Sequence, residues 1–435
     1  MADLQITPSK IQGYLTIPPS KSHTLRAILF GALAHGTSHI TNYLASPDTT
    51  AMIAAVRSLG ATVTEEPHQL TLHGVSGQPH VADDVIACGN SGLVLRLIGA
   101  LAGLIPQYTI LTGDHSIRHN RPVKPLLDGL QQLGAFATSS RGDQHAPILI
   151  KGPLTQRVAR VSGQDSQPIS ALLIAAAFAT HPIELHVTDP GEKPWIDLTL
   201  HWFKKLGIAC QMQDYTFYKL EGSSQIKGFD YTVPGDFSTA AFPIVAALIT
   251  QSELTLHNID MHDIQGDKAI IPLLEQMGAI FLIDANARTL TVKKGKALTG
   301  MRIDINHCID ALPILAVIGC FANGKTEIVN AAIARKKESD RISAIVLELK
   351  KMGAIIEEHP DGLTVETSPL QGAQLSTYSD HRLALSLSIA AMGALSQSTI
   401  QGVECTAKTY PHFYEDFLSI GALFNLETAV ARFNR

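Results

Sequence analysis

Seven cations stand in polar turns or at the starts of helical runs in a chain poor in charge: Lys21, Arg26, Arg121, Lys337, Arg341, Arg382 and Lys408. A helix N-terminus already carries about half a positive charge, so a cation there is disfavoured by ~0.3–1 kcal/mol. Local preferences are broken mainly where function demands it. Backbone N–H groups, the helix dipole and a cation together make a site for phosphate or carboxylate. Two carboxylates accompany the set. Glu338 follows Lys337 in KKESDR, and Asp310 opens the apolar run of HCIDALPI. Taken singly, Asp310 reads as a helix N-cap and Glu338 as a solvated first-turn acid. Among so many cations, such carboxylates stay ionised and can accept protons. The chemistry indicated is acid–base work on small polyanions.

Two other patterns carry less. Gly319 to Thr326 matches the G-x-x-x-x-G-K-[ST] phosphate loop, which needs a strand before it and a helix after it. Here the apolar ALPILAVIGCFA precedes and the β-like TEIVN follows, so the order is reversed and no nucleotide site is expected. HNIDMHDI (257–264) holds His and Asp but no third ligand group, so no metal is expected there.

The elements that position these residues repeat. Six helical runs end alike, at VRSLGA, LQQLGA, FKKLGI, LEQMGA, LKKMGA and FLSIGA, with Gly60, Gly134, Gly207, Gly278, Gly353 and Gly421 at the stop. The intervals are 74, 73, 71, 75 and 68 residues, close to a sixth of the 435-residue chain. Each stop follows an apolar stripe of helical period, such as Ile342, Ile345, Val346, Leu349 and Met352. Glycine then sits where a left-handed residue ends a helix. About forty residues before each stop, a polar turn opens a helix rich in Ala, Leu and Ile without a wide polar face, as in PPSKSHTLRAILFGAL and YSDHRLALSLSIAAMGAL. Such helices must be buried with only their N-terminal ends exposed. The predicted unit is strand, turn, buried helix, strand, outer amphipathic helix, strand. No unit covers its own helix, so units must associate, three to a lobe, with the division near EGSSQIKGFD (221–230).

Composition agrees with large cores. Only 17% of residues are charged, and 34 Lys+Arg against 39 Asp+Glu give a net charge of −5. That balance argues against a nucleic-acid or polybasic membrane partner. The longest clean apolar stretch, 311–322, is short of the ~20 residues that span a bilayer. Five scattered cysteines with no C-x-x-C fit free thiols in a reducing compartment. MADLQITPSK shows no leader, so a cytoplasmic location is expected.

At full length, the stretches PPSKSHTLRA, GNSGLVLR, LTGDHSIRHNRPVKPLLDGLQQLGA, KKESDR, SDHRLAL and CTAKTYPHF, in this order, resemble the 5-enolpyruvylshikimate-3-phosphate synthase (3-phosphoshikimate 1-carboxyvinyltransferase) family. The resemblance implies an α/β enolpyruvyl transferase-like fold of two lobes, each with three βαβαββ repeats around buried helices, closing on substrates like a clamp. It places 18–230 in the first lobe and 1–17 with 231–435 in the second. It implies transfer of the enolpyruvyl group of phosphoenolpyruvate to the 5-hydroxyl of shikimate 3-phosphate, without metal or organic cofactor, in a monomer. By motif match, Lys21, Ser22, Arg26, Ser166, Gln167, Asp310 and Lys337 hold shikimate 3-phosphate. Phosphoenolpyruvate falls to Lys21, Gly92, Arg121, Gln167, Arg341, Arg382 and Lys408. Asp310 accepts the hydroxyl proton, Lys337 helps position that hydroxyl, and Glu338 and Lys21 handle protons at the methylene carbon.

The chain departs from the family's pattern where the 3-phosphate is expected. Asp165-Ser166-Gln167 stands for Ser-Ser-Gln or Ser-Ala-Gln, Glu192 for a phosphate-binding Ser, and Trp195 for a Tyr. Two acids there would repel a phosphate unless they turn away or pair with Lys193 or another cation. Gly92, which in the family leaves room for the inhibitor glyphosate, is followed by Leu93 and Leu97 in place of Thr and Pro, so weakened inhibition is expected. The sister family that transfers enolpyruvyl to UDP-N-acetylglucosamine has a Cys in its mobile loop and a Lys-Asn start. Gly113–Pro122 has no Cys, and Ser22 follows Lys21. A silent anion-binding module would need cations but not Lys21, Asp310 and Glu338 together.

Overall fold

The computed structural model describes residues 2–428. Six inner helices carry the apolar runs: Lys21–Leu33, Gly92–Ala102, Ser166–Phe178, Phe237–Ile249, Leu312–Phe321 and His381–Met392. Nearly every residue of each is buried beyond its first turn. Their starts are set by local chemistry: Ser20, Ser91, Asp165, Asp236 and Asp380 each accept a first-turn backbone N–H through the side chain. The six predicted stop glycines all have positive φ, from +73° at Gly207 to +107° at Gly278. The Arg341–Lys351 helix buries its predicted stripe, Ile342, Ile345, Val346 and Leu349, with Met352 just past its end. In the phosphate-loop look-alike, the helix Leu312–Phe321 precedes the strand Lys325–Val329, the reverse of what that loop requires.

Each repeat builds one four-stranded mixed sheet, and there are six among the described residues. The third is representative. Val158–Ser162 runs parallel to Ile183–Thr188 across the inner helix, and Ile183–Thr188 pairs antiparallel with Phe217–Leu220, which pairs with the edge strand Cys210–Gln213. A parallel pair needs such a crossover, whereas the antiparallel hairpin needs only a tight turn. The periodic reading put a single strand after each stop. The structure has a hairpin after the first five stops, because a polar turn such as His359 to Gly362 doubles the run back on itself; after the sixth, a single strand pairs with the N-terminus.

Two sheets exchange strands. Gly13–Thr16, just before the first inner helix, pairs parallel with Leu254–His257 of the fourth repeat. Asp230–Thr232, just before the fourth inner helix, pairs parallel with Thr37–Thr41 of the first. The sixth sheet is closed by the N-terminus: Ala2–Thr7 lies antiparallel to Ser398–Gln401 and Leu423–Thr428. The chain thus forms two compact units. One is Pro19–Val233; the other runs from the N-terminus to Pro18 and resumes at Pro234. Each has its own apolar core. In the first, Trp202 is fully buried, stacks on Phe30 at 5.6 Å and donates Nε1–H to His23 Nδ1 at 3.2 Å. Among the described residues no helix is long and apolar enough to cross a membrane.

Candidate active site

In the Pro19–Val233 unit, the expected residues gather at the starts of three inner helices. Lys21 is the first residue of its helix, and its Nζ lies 3.7 Å from Asp48 Oδ2. Asp48 also accepts the Ser91 hydroxyl at 2.9 Å, so one buried carboxylate ties the first and second inner helices together. Arg96, one turn into the second inner helix, is buried and donates to Gly92 O (3.1 Å), Gln167 Oε1 (3.2 Å) and Pro122 O (2.9 Å). It also pairs with Asp165 Oδ2 at 3.3 Å, bringing in the third inner helix. Asp165 therefore meets another cation, as its position beside an anion site requires. Lys193 does not perform this service for Glu192; its Nζ lies over the Tyr215 ring, 5.3 Å from the centroid. Glu192 instead accepts from Ser166 N and Oγ, both at 3.0 Å.

Arg26 lies in the same unit, 2% exposed, with Nε and Nη2 on Thr199 Oγ1 (3.2 and 3.0 Å) and Nη1 on Ser22 O (3.2 Å). Burial among neutral acceptors lowers its guanidinium to about 10. Gly92 is the close-approach point. A Cβ there would stand 2.4 Å from Arg121 Nη2 and 2.7 Å from Arg96 Nη1. Both guanidinium groups would have to move. Gly92→Ala is therefore expected to raise the KM for an anionic substrate held by these guanidinium groups about tenfold or more, since ~1.4 kcal/mol of lost contact is one decade. Steady-state kinetics and a melting curve check this; an unchanged KM with an unchanged melt would refute it.

In the unit that resumes at Pro234, the charges form one network. Arg341 opens its helix and donates Nη1–H to Asp310 Oδ1 (2.7 Å), Nη2–H to Glu338 Oε2 (2.8 Å), and Nε–H to Asp380 Oδ2 (2.8 Å). Lys408 Nζ donates to Glu338 Oε1 at 2.8 Å. Arg382 Nη2 reaches Asp310 Oδ2 at 3.3 Å and Ser238 Oγ at 2.7 Å. Burial pushes the Asp310 carboxyl up, but Arg382, Arg341 and Lys337 outweigh it and hold it well below the usual carboxylate range. Desolvation likewise opposes the charge on Arg341, and Asp380, Glu338 and Asp310 overcome it, fixing this guanidinium in its protonated form.

The structure thus brings Asp310, Lys337, Glu338, Arg341, Arg382 and Lys408 into one cluster. In the other unit it gathers Lys21, Ser22 and Arg26 at one helix start, and Gly92, Arg121, Ser166 and Gln167 around Arg96 and the neighbouring helix starts. Sequence reasoning passed over Arg96, Asp48 and Asp380. Arg96 is the lone cation inside an apolar run, GNSGLVLR, and that contrast could have exposed it. Asp380 reads as an ordinary N-cap and Asp48 as an ordinary first-turn acid, and nothing local shows that each also binds a distant partner. In the Pro19–Val233 unit, Lys21 pairs with Asp48 and Arg96 with Asp165; in the other, Arg341 pairs with Asp310, Glu338 and Asp380, Arg382 with Asp310, and Lys408 with Glu338.

The fold is the one found in solved enolpyruvyl transferases. A solved EPSP synthase from Acinetobacter baumannii superposes with a TM-score of 0.82 at 27% identity, covering 98% of this chain and 100% of that one. The enolpyruvyl transferase NikO from Streptomyces tendae shares the fold, with a TM-score of 0.78 at 18% identity over 98% of this chain and 99% of its own. Within that class, the chain belongs to the EPSP synthase (3-phosphoshikimate 1-carboxyvinyltransferase) family, whose model matches residues 6–417. The 3-phosphoshikimate 1-carboxyvinyltransferase of Chlamydia caviae is 42% identical over 427 residues, 97% of this chain and 94% of the relative. That of Ruminiclostridium cellulolyticum is 40% identical over 423 residues, 97% and 99% respectively.

Proposed function

We propose that this chain transfers the enolpyruvyl group of phosphoenolpyruvate to the 5-hydroxyl of shikimate 3-phosphate, releasing phosphate, in the pathway to chorismate and the aromatic amino acids. The observation that carries the reading beyond family membership is Asp310, an ionised carboxylate gripped by Arg341 and Arg382 beside a second caged carboxylate, Glu338. Both substrates carry a phosphate and a carboxylate, so the cation sets have four anionic groups to receive. Phosphoenolpyruvate is assigned to Lys21, Gly92, Arg121, Gln167, Arg341, Arg382 and Lys408. Shikimate 3-phosphate is assigned to Lys21, Ser22, Arg26, Gln167, Asp310 and Lys337. Ser166 is left out, because its backbone and hydroxyl donors both serve Glu192.

The geometry suggests how binding starts the chemistry. Arg341, Arg382 and Lys408 neutralise Asp310 and Glu338. Substrate anions that take up these cations loosen their hold and raise the proton affinity of both carboxylates. Asp310 then accepts the 5-hydroxyl proton as that oxygen bonds to the central carbon of phosphoenolpyruvate. Glu338 or Lys21 protonates the methylene carbon. The tetrahedral adduct keeps its charges against preorganised cations. Return of a proton from the new methyl group to the residue that delivered it, with cleavage of the carbon–oxygen bond and departure of phosphate, completes the reaction. The lobes are taken as 18–230 and 1–17 with 231–435, in line with the compact units Pro19–Val233 and Met1–Pro18 with Pro234–Arg435; the working protein is taken as a cytoplasmic monomer with no cofactor.

Phosphate release is the direct test. Turnover is expected only with both substrates together, and no release from the pair would refute the reading. Glyphosate inhibition is expected to be weaker than in a typical sensitive enzyme of the family, since Leu93 and Leu97 alter the helix start beside Gly92. An inhibition curve matching the sensitive enzyme would contradict this.

A further inference from the structure

We infer that Glu348 is a positioning residue for the reaction: it pins the left-handed Tyr378–Ser379 turn, which aims Asp380 at Arg341 and starts the helix bearing Arg382. The inference rests on phosphoenolpyruvate being the substrate that Arg341, Arg382 and Lys408 hold. Glu348 is fully buried on the Arg341–Lys351 helix. Residues seven apart on a helix share a face and stand about 10 Å apart along its axis. Glu348 therefore lies two helical turns behind Arg341, on the side of the helix that meets residues 376–380.

A buried carboxylate is costly unless both oxygens are satisfied. Oε2 accepts the Ser376 N–H at 3.0 Å, and Oε1 accepts the Tyr378 hydroxyl at 2.7 Å. Lys351 Nζ donates to both oxygens, at 2.7 and 2.8 Å, from a side chain 42% exposed. Lys351 is thus the solvent-side counter-ion, and the bonds that enter the fold go to the turn. Tyr378 and Ser379 are both left-handed, at φ 52° and 54°. A residue with a Cβ keeps that geometry only when its surroundings enforce it. Both side chains are exposed, so packing around them does not supply the hold. The Glu348 bonds do, and on the opposite side buried Thr377 donates to Gly402 O at 3.0 Å.

The turn delivers the groups assigned to phosphoenolpyruvate. Asp380 follows it directly. Its carboxylate accepts from Arg341 Nε (2.8 Å) and Nη2 (3.2 Å), the Ser339 hydroxyl (3.0 Å) and Arg382 N (2.9 Å). Gly402, gripped by Thr377, opens the segment that ends in Lys408. The Arg341 helix accordingly meets the turn twice, first through Arg341 and Asp380, then through Glu348. One contact would leave the turn free to pivot, whereas two fix its direction.

Glu348→Ala removes both bonds to the turn. It is expected to raise the KM for phosphoenolpyruvate about tenfold, since releasing one enforced left-handed residue is about a decade in an equilibrium. Calorimetric titration should show shikimate 3-phosphate bound as tightly as before. Glu348→Gln keeps an acceptor for the Ser376 N–H and a donor to the Tyr378 oxygen, and should keep the KM close to that of the unmodified chain. Tyr378→Phe alters a side chain that is 40% exposed and should raise the same KM about threefold, the effect of one lost hydrogen bond. Ser379→Gly, added to Glu348→Ala, supplies left-handed geometry without a Cβ clash and should recover about threefold of the loss. A merely structural Glu348 would lower the melting temperature and leave the KM for phosphoenolpyruvate alone. The inference is overturned by an unchanged KM in Glu348→Ala, by equal weakening of both substrates, by Glu348→Gln as impaired as Glu348→Ala, or by no recovery with Ser379→Gly. Should Glu348→Ala not fold, an unchanged KM in Tyr378→Phe overturns it. An unmodified chain that releases no phosphate from the two substrates removes the functional reading as well; turnover with any of these results removes the inference alone.

Discussion

Asp310→Ala should lower kcat by about 10²–10⁴-fold, the usual contribution of a positioned general base. Binding should survive. Asp310 contributes no charge that attracts phosphoenolpyruvate, and its loss leaves Arg341 and Arg382 with one fewer carboxylate to satisfy. Calorimetric titration should show phosphoenolpyruvate bound as tightly as before or more tightly, whereas a kcat within tenfold of the unmodified chain would remove Asp310 from its role. The same substitution has a stability signature. The folded carboxyl is held below its ordinary value of about 3.9 by Arg382, Arg341 and Lys337, against the opposing effect of burial. A depressed folded value stabilises the protein above the unfolded value, and that stability disappears as the pH falls toward the folded one. Acid unfolding below about pH 4 should therefore be shallower in Asp310→Ala.

Arg341→Ala should be the most destabilising single change in the site. Arg341 meets three carboxylates, and Asp380 is fully buried. Removing the cation strands Asp380, and loosens the nearly buried Glu338, where water hardly reaches, at a cost of about 3–5 kcal/mol. For a unit of roughly 200 residues, each kcal/mol moves the melting temperature by about 2–4 °C. A drop of about 6–20 °C is expected by calorimetry, together with loss of turnover. A melting temperature within 2 °C of the unmodified chain would mean that the network contributes little to folding.

Helix boundaries were legible because they are local. Serine and aspartate caps satisfy N–H groups within three residues, and a glycine with positive φ ends a helix on the spot. Six such stops at near-constant spacing revealed the repeat, and the apolar inner runs revealed which helices are buried. The cations could be found because a Lys or Arg at a helix start violates a local preference. Asp48 and Asp380 stayed hidden for the converse reason. An acid at an N-cap or in a first turn is what local physics favours, so its second task leaves no trace.

Residue types and their spacing alone determined the repeat, the buried helices, the inventory of anion-binding groups and the family. Partners distant along the chain were decided by tertiary structure: Asp380 with Arg341, Asp165 with Arg96, Glu192 with Ser166. The exchange of Gly13–Thr16 and Asp230–Thr232 between repeats belongs to the same category. The physical reason is the range of the forces. Capping and periodicity act over one or two turns, whereas a buried charge is satisfied by whichever opposite group the packing of separate helices brings near.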